Sequence, residues 1–204
     1  MRHIIGQTFA SVCGVWLCLA APLMADSENG VVVELYTSQG CSSCPPADAF
    51  LADLSQSAGV IPLALHVDYW DYIGWADTFG NPKFTARQKA YAHAAGEKMI
   101  YTPQMIVGGD ARLEGTQVAA AIRAAQDAGN VVELTLSREG GRVAIRAAAA
   151  AGLPKDMDVQ LVRYIASETV DIERGENAGQ NVAYHNIVTS WAQVGQWGGD
   201  QPLQ

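Results

Sequence analysis

Cys41 and Cys44, spaced Cys-Ser-Ser-Cys, are the residues here whose type and spacing can do covalent chemistry. Thiols at that spacing can close a disulfide, contribute to a metal site, or exchange bonds with another molecule. Exchange needs a thiolate, which the free N–H groups and dipole of a helix N-terminus favour. A second thiol held three residues on resolves a mixed disulfide quickly, because it is already in place. Cys41, expected at the exposed end, is the attacking residue in this reading, and Cys44, nearer the packed helix, resolves. As a purely structural link, so small a ring contributes only about 2 kcal/mol through loop entropy. Exchange is therefore preferred to a structural clip. A copper or zinc carrier using the same thiolates stays open as an alternative. Zinc, however, takes four ligands, and His66, His93 and His185 have no ligand spacing among themselves.

The surrounding pattern supplies the elements that would position the pair. Val31 to Tyr36 is a β-branched run of strand length, ended by Thr37-Ser38-Gln39-Gly40. Pro45-Pro46 opens a helix with Ala49, Phe50, Leu51 and Leu54 near helical spacing, and Gly59 closes it. Val60 to Val67 reads as a second strand, with Pro62 suggesting an edge or entry position. Strand, cysteine turn, helix and strand make a βαβ unit with a right-handed crossover. After an aromatic, irregular stretch from Asp68 to Pro82, Phe84 to Ala95 reads as a helix stopped by Gly96. Thr102-Pro103 leads into a strand over Gln104 to Val107. Gly108-Gly109-Asp110 then turns the chain back, and Thr116 caps a helix ended by Gly129.

Beyond Gly129 the period changes to 2. Val131 to Ser137 and Arg142 to Ala148 flank a hairpin turn, and Val159 to Ile165 and Val182 to Trp191 are further strands. Residues 175–179, Gly-Glu-Asn-Ala-Gly, read as a loop with no assignable chemistry. The expected fold class is α/β: a domain over 30–129, a β-rich C-terminal unit over 130–197 packed against it, and a frayed tail over 198–204.

The first 25 residues form a short apolar segment behind Arg2, with small residues before Asp26. This reads as a cleaved signal peptide, since the run is shorter than the roughly 20 residues of a membrane span. A periplasmic or secreted location follows. Cleavage removes Cys13 and Cys18 and leaves 12 basic against 21 acidic residues, a net charge of −9. That sign argues against nucleic acid or an anionic membrane surface as partner.

The segment Val33 to Asp48 resembles DUF1223, a family of bacterial secreted proteins placed in the thioredoxin-like superfamily. So do His66-Val67-Asp68-Tyr69-Trp70-Asp71, Gly74-Trp75, Phe84-Thr85-Ala86-Arg87-Gln88, Tyr101-Thr102-Pro103-Gln104 and Tyr184-His185-Asn186. The resemblance implies a thioredoxin-like fold in which Thr102-Pro103 faces the cysteines through a cis peptide bond, with Pro103 positioning substrate backbone. The family name carries no activity; the cysteine pair itself points to disulfide exchange with a protein client, with a redox partner recharging the pair and no organic cofactor, since the reducing equivalents sit in the two thiols. Against thioredoxin itself, Gly40 stands where a Trp is expected. Pro45 disfavours helical geometry at Cys44, so the helix is expected to begin late. Tyr69, Trp70 and Trp75 could form a recognition loop, although packing of an insertion is the commoner use of such residues. Asp68, Asp71 and Asp77 are expected as solvated loop carboxylates, His66 as a satisfied strand-end histidine, and His185 as support for the β-rich unit. A non-catalytic interaction module is the remaining alternative.

Overall fold

The computed structural model describes residues 29–203 apart from 110, 114, 115 and 130. The signal-peptide reading of residues 1–25 lies outside them. β1 (Val31–Thr37) leads through the cysteine turn into α1 (Pro45–Leu54) and back through β2 (Val60–His66). A 3-10 turn (Asp71–Ile73) precedes α2 (Pro82–Ala94), followed by β3 (Gln104–Val107), β4 (Ala111–Leu113) and α3 (Thr116–Ala128). The rest is strand: β5 (Leu134–Glu139), β6 (Arg142–Ala147), β7 (Met157–Asp171) and β8 (Asn181–Trp197). Six strands form one sheet in the order β4-β3-β1-β2-β8-β7, while β5 and β6 pair only with each other. β1 and β2 are parallel, and β3 runs antiparallel to both β1 and β4. This is the expected α/β class.

The side-chain alternation of β1 divides the core into two layers. Val31, Val33 and Leu35 face α1 and α3, where they meet Leu51, Leu54, Val118 and Ile122. Val32 and Tyr36 face the other way, toward Phe84 of α2, with Leu63, Leu65 and Val67 from β2 and its exit. A strand buried on both faces cannot show a hydrophobic-polar alternation, so it reads as the continuous apolar run seen in the sequence.

Pro62 is not at an edge. β2 lies between β1 and β8, but β8 meets it at a single bridge pair, Ala64 with Ile187. At the level of Pro62 the Asn186 side chain donates to the Pro62 carbonyl at 2.8 Å. The proline's missing N–H is thus tolerated in an interior strand because no ladder bond is needed there. Asn186 takes φ 47° to make this contact, a conformation asparagine enters more readily than most residues.

Residues 130–197 supply four strands, and β7 and β8 continue the sheet of the N-terminal part rather than forming a layer on it. Both run well beyond the lengths expected from periodicity, with bulges at Val159/Gln160 and Arg163/Tyr164. The tail expected to be frayed is fastened. Leu203 bridges Ala147, Ala150 N–H donates to the Gly199 carbonyl, and the Trp197 indole donates to the Gln201 carbonyl.

Candidate functional site at the cysteine turn

Cys41 and Cys44 are joined by a disulfide at the start of α1. The helix does not begin late. Cys44 is its N-cap in helical geometry, φ −79° and ψ −34°, and Pro45 occupies N1. A proline there loses no hydrogen bond and brings a φ already suited to the helix. The Cys44 carbonyl accepts the N–H groups of Ala47 and Asp48 at 2.8 and 3.1 Å.

Both cysteines are buried, Cys41 at 1% exposure and Cys44 at 0%, so the expectation of an exposed Cys41 is corrected. What reaches solvent at the turn is Ser42 and Ser43. The Ser43 hydroxyl lies 3.4 Å from Cys41 Sγ and 3.5 Å from the Thr102 carbonyl. The Thr102–Pro103 peptide bond is cis. These residues sit at one side of an open apolar cleft of about 730 Å³, lined also by Pro46, Phe50, Tyr101 and Met105.

Two features pack around the turn. First, Gly40 leaves room for the aromatic segment: a Cβ there would stand 3.1 Å from Trp70 Cβ. The space a tryptophan at position 40 would need is filled by Trp70 instead. Second, the segment joining β7 to β8 folds over the cysteine turn. Asn177, 2% exposed, donates its amide hydrogens to the Gln39 and Cys41 carbonyls, each at 2.9 Å. Asn177 thus belongs to a loop to which the sequence assigned no chemistry. No local signal pointed to it, since its partners are backbone carbonyls 136 and 138 residues away.

The aromatic loop is tied inward. The Trp70 indole donates to Thr102 Oγ1 at 2.7 Å, and the Trp75 indole to Gln39 Oε1 at 2.8 Å. Tyr69 donates to Gln88 Oε1 at 3.3 Å, and Gln88 in turn donates to the Tyr101 carbonyl and Gln104 Oε1, bracketing the cis bond. Tyr72 is left outside, 81% exposed and stacked on Trp70. Gln39 and Gln88 were missed by the sequence reading. Both are fully buried, and polar side chains in that position are retained for the hydrogen bonds they satisfy.

Of the three loop carboxylates expected in solvent, Asp77 is buried, while Asp68 and Asp71 are half-buried and hydrogen-bonded. Asp68 accepts from the Thr85 hydroxyl at 2.6 Å, and Asp71 from the Asp77 N–H at 3.0 Å. Asp77 is buried and accepts from the N–H groups of Gln39 and Phe79, each at 2.8 Å. It is also 2.8 Å from His66 Nδ1. A carboxylate with two backbone donors already on it acts as acceptor, so His66 Nδ1 carries the hydrogen. His66 is 0% exposed, with its ring edge-on to Phe79 and Tyr184, and its Nε2 has no hydrogen-bond partner. Nearby lies Asp48, 4% exposed, whose two carboxyl oxygens have no partner within 3.5 Å, with the Thr37 hydroxyl close enough to favour its charged form. Burial pushes its pKa up to about 7, against a smaller lowering by His66 and Thr37 and a raising by Asp77. Asp48 was quoted in the family motif and given no role.

The family model described as a protein of unknown function (DUF1223) matches residues 32–204. The chain belongs to that family. Among solved structures it is similar to the crystal structure of protein AGR_C_4864 from Agrobacterium tumefaciens, a structural-genomics target. Identity is 34%, with 85% of this chain and 75% of that one covered, and the TM-score is 0.74. The comparison with curated proteins finds no match.

Proposed function

We propose that this member of the DUF1223 family is a thiol–disulfide oxidoreductase of the periplasm or another oxidising compartment, exchanging its Cys41–Cys44 bond with a protein client. The observation that carries the reading is the disulfide at the N-terminus of α1, whose turn residue Ser43 lies 3.5 Å from the Thr102 carbonyl and lines an open cleft together with Thr102 and Pro103. It is supported by the strand order β4-β3-β1-β2 with β3 antiparallel, the arrangement a thioredoxin-like scaffold requires. In this reading Cys41 is attacked by, or attacks, the client sulfur. Cys44 resolves, and the backbone at Thr102 and Pro103 orients the client strand. A second protein restores the pair, and no organic cofactor takes part. An envelope location is supported by the leader expected over residues 1–25. Among the described residues no helix is long and apolar enough to cross a membrane.

The burial of both sulfurs favours one competing reading, a binding module whose disulfide is only a clip. Trapping separates the two. The Cys44→Ser full chain, reduced and mixed with a peptide carrying one disulfide, should accumulate a covalent adduct on Cys41 that reductant releases. The Cys41→Ser, Cys44→Ser double variant should give none. An adduct no more abundant than the double variant's would leave the clip reading standing.

A further inference from the structure

β7 forms one edge of the six-stranded sheet, and β8 is its neighbour on the other side. The opposite edge strand, β4, has 3 residues, and a very short strand is one way an edge is kept from pairing with another chain. β7 has 15. In an edge strand every second residue turns its N–H and C=O outward, so a long edge offers a ready ladder to another strand. β7 contains no proline and no lysine, the residues that commonly blunt an edge. Every side chain from Arg163 to Thr169 is exposed. Tyr164 and Ile165, 50% and 38% exposed, are consecutive and so point to opposite faces, which puts apolar surface on both sides of the open edge.

The charges on β7 say which strand fits it. Arg163 is its one basic residue, and Asp158, Glu168 and Asp171 are its acids. Arg163 makes none of the ion pairs found among the described residues. In an antiparallel pair, opposed side chains share a face of the sheet. When two copies of one strand pair about a two-fold axis, the residues that face each other are therefore an even number of positions apart. Asp158 and Glu168 each stand 5 positions from Arg163 and cannot face it, whereas Asp171 stands 8 away and can.

That pairing fixes the register. Arg163 of each copy faces Asp171 of the other, Tyr164 faces Val170, Ile165 faces Thr169, and Ser167 faces its own counterpart. Opposite charges, and an aromatic ring beside a β-branched side chain, are the cross-strand pairs that stabilise a sheet. No like charges are directly opposed, since Glu168 faces Ala166. Asp171 accepts one bond from Asn181 through Oδ1, which leaves Oδ2 for a guanidinium.

We infer that this edge is a homodimer interface: a second copy of the chain adds its β7 antiparallel to this one, centred on Ser167, and joins two six-stranded sheets into one. The contact does not depend on the cysteine chemistry. It does brace the β7–β8 hairpin, whose tip Asn177 fastens to the Cys41 carbonyl.

Sedimentation equilibrium of the wild-type chain should show a monomer–dimer equilibrium. Arg163→Asp sets like charges opposite each other at both ends of the paired segment and should raise the dissociation constant roughly tenfold or more. Combining Arg163→Asp with Asp171→Arg should bring it back toward the wild-type value. The register is read by disulfide trapping in a chain whose Cys13 and Cys18 are replaced by serine and whose Cys41–Cys44 bond stays closed. Ser167→Cys should cross-link under mild oxidation, since directly opposed Cβ atoms lie about 5 Å apart. Ile165→Cys should not, because its counterpart lies four residues along the strand, roughly 13 Å away. A wild type that sediments as a monomer at the highest concentration at which it stays soluble overturns the inference. So does a dimer that Arg163→Asp leaves equally tight, or one in which Ile165→Cys cross-links as fast as Ser167→Cys.

Discussion

Asp48 and His66 show how much a single buried side chain can set. A carboxyl that binds its proton more tightly folded than unfolded adds stability that is complete below its unfolded pKa. That stability is lost as pH rises through the folded value. For Asp48 the two values are 3.8 and about 7. Its contribution should therefore fade across the window between them and be absent in mild alkali. Urea midpoints of the oxidised protein at pH 4.5, 6 and 8 check this by comparison with Asp48→Asn, an uncharged near-isostere. The wild type should lose stability relative to the variant as pH rises. A constant difference across the three pH values would mean that Asp48 titrates in the ordinary carboxylate range. The same residue scale explains Glu34, buried at 2% on the opposite sheet face. It accepts two bonds from Arg87 at 2.7 and 2.8 Å and one each from Tyr36 and Tyr91. The Arg87 guanidinium is itself laid on the Trp191 ring at 3.7 Å. A buried charge matched this fully locks α2 and β8 to β1.

At the scale of elements, the tip of the β7–β8 hairpin controls the cysteine turn. Its own backbone closes on itself, with Ile172 N–H donating to the Gln180 carbonyl and Gly179 N–H to the Ile172 carbonyl. Asn177 then clamps the tip to Gln39 and Cys41. Asn177→Ala should expose the disulfide: its reduction by a small phosphine, followed by thiol appearance, should speed up about tenfold. Loss of the two hydrogen bonds should cost about 1–3 kcal/mol of stability. Faster reduction measured far below the urea midpoint, where the variant is still folded, would separate the clamp from the stability loss. An unchanged reduction rate would show that the clamp does not set access to the disulfide. This control was invisible in the sequence for a physical reason. β1, α1, β2 and β3 were legible because apolar period and turn residues encode local structure. The clamp is made by an asparagine in a polar loop bonding to distant carbonyls, which no period encodes. The long ends of β7 and β8 escaped for a related reason. Much of the ribbon is exposed on both faces, so it carries no clean alternation. Pro45 misled in the opposite sense, since Cys44 takes helical angles despite the steric bias against them, and the edge reading of Pro62 failed because β2 is flanked by β8, which pairs only at Ala64.

For the whole molecule, the question is whether residues 130–203 are an accessory or part of one folding unit. Ile187 and Val188 of β8 are buried, and Val188 packs with Phe84, Leu63 and Leu65 in the α2 layer. Tyr184 covers His66, and Asn177 covers the cysteine turn. Removing these would open the β2 edge and bare the apolar side of the α2 layer. It would also hydrate the surroundings of Asp48, whose burial is what raises its pKa. A chain ended after Gly129 should therefore lose its cooperative urea transition, or show one shifted to much lower denaturant with a shallower slope, since less surface is buried. Any disulfide it forms should be reduced as fast as that of an unstructured peptide. A sharp transition together with wild-type protection of the disulfide would mean that the N-terminal α/β part is complete without β8. The Asn177 clamp and the Tyr184 cover would then be refinements added to a working site.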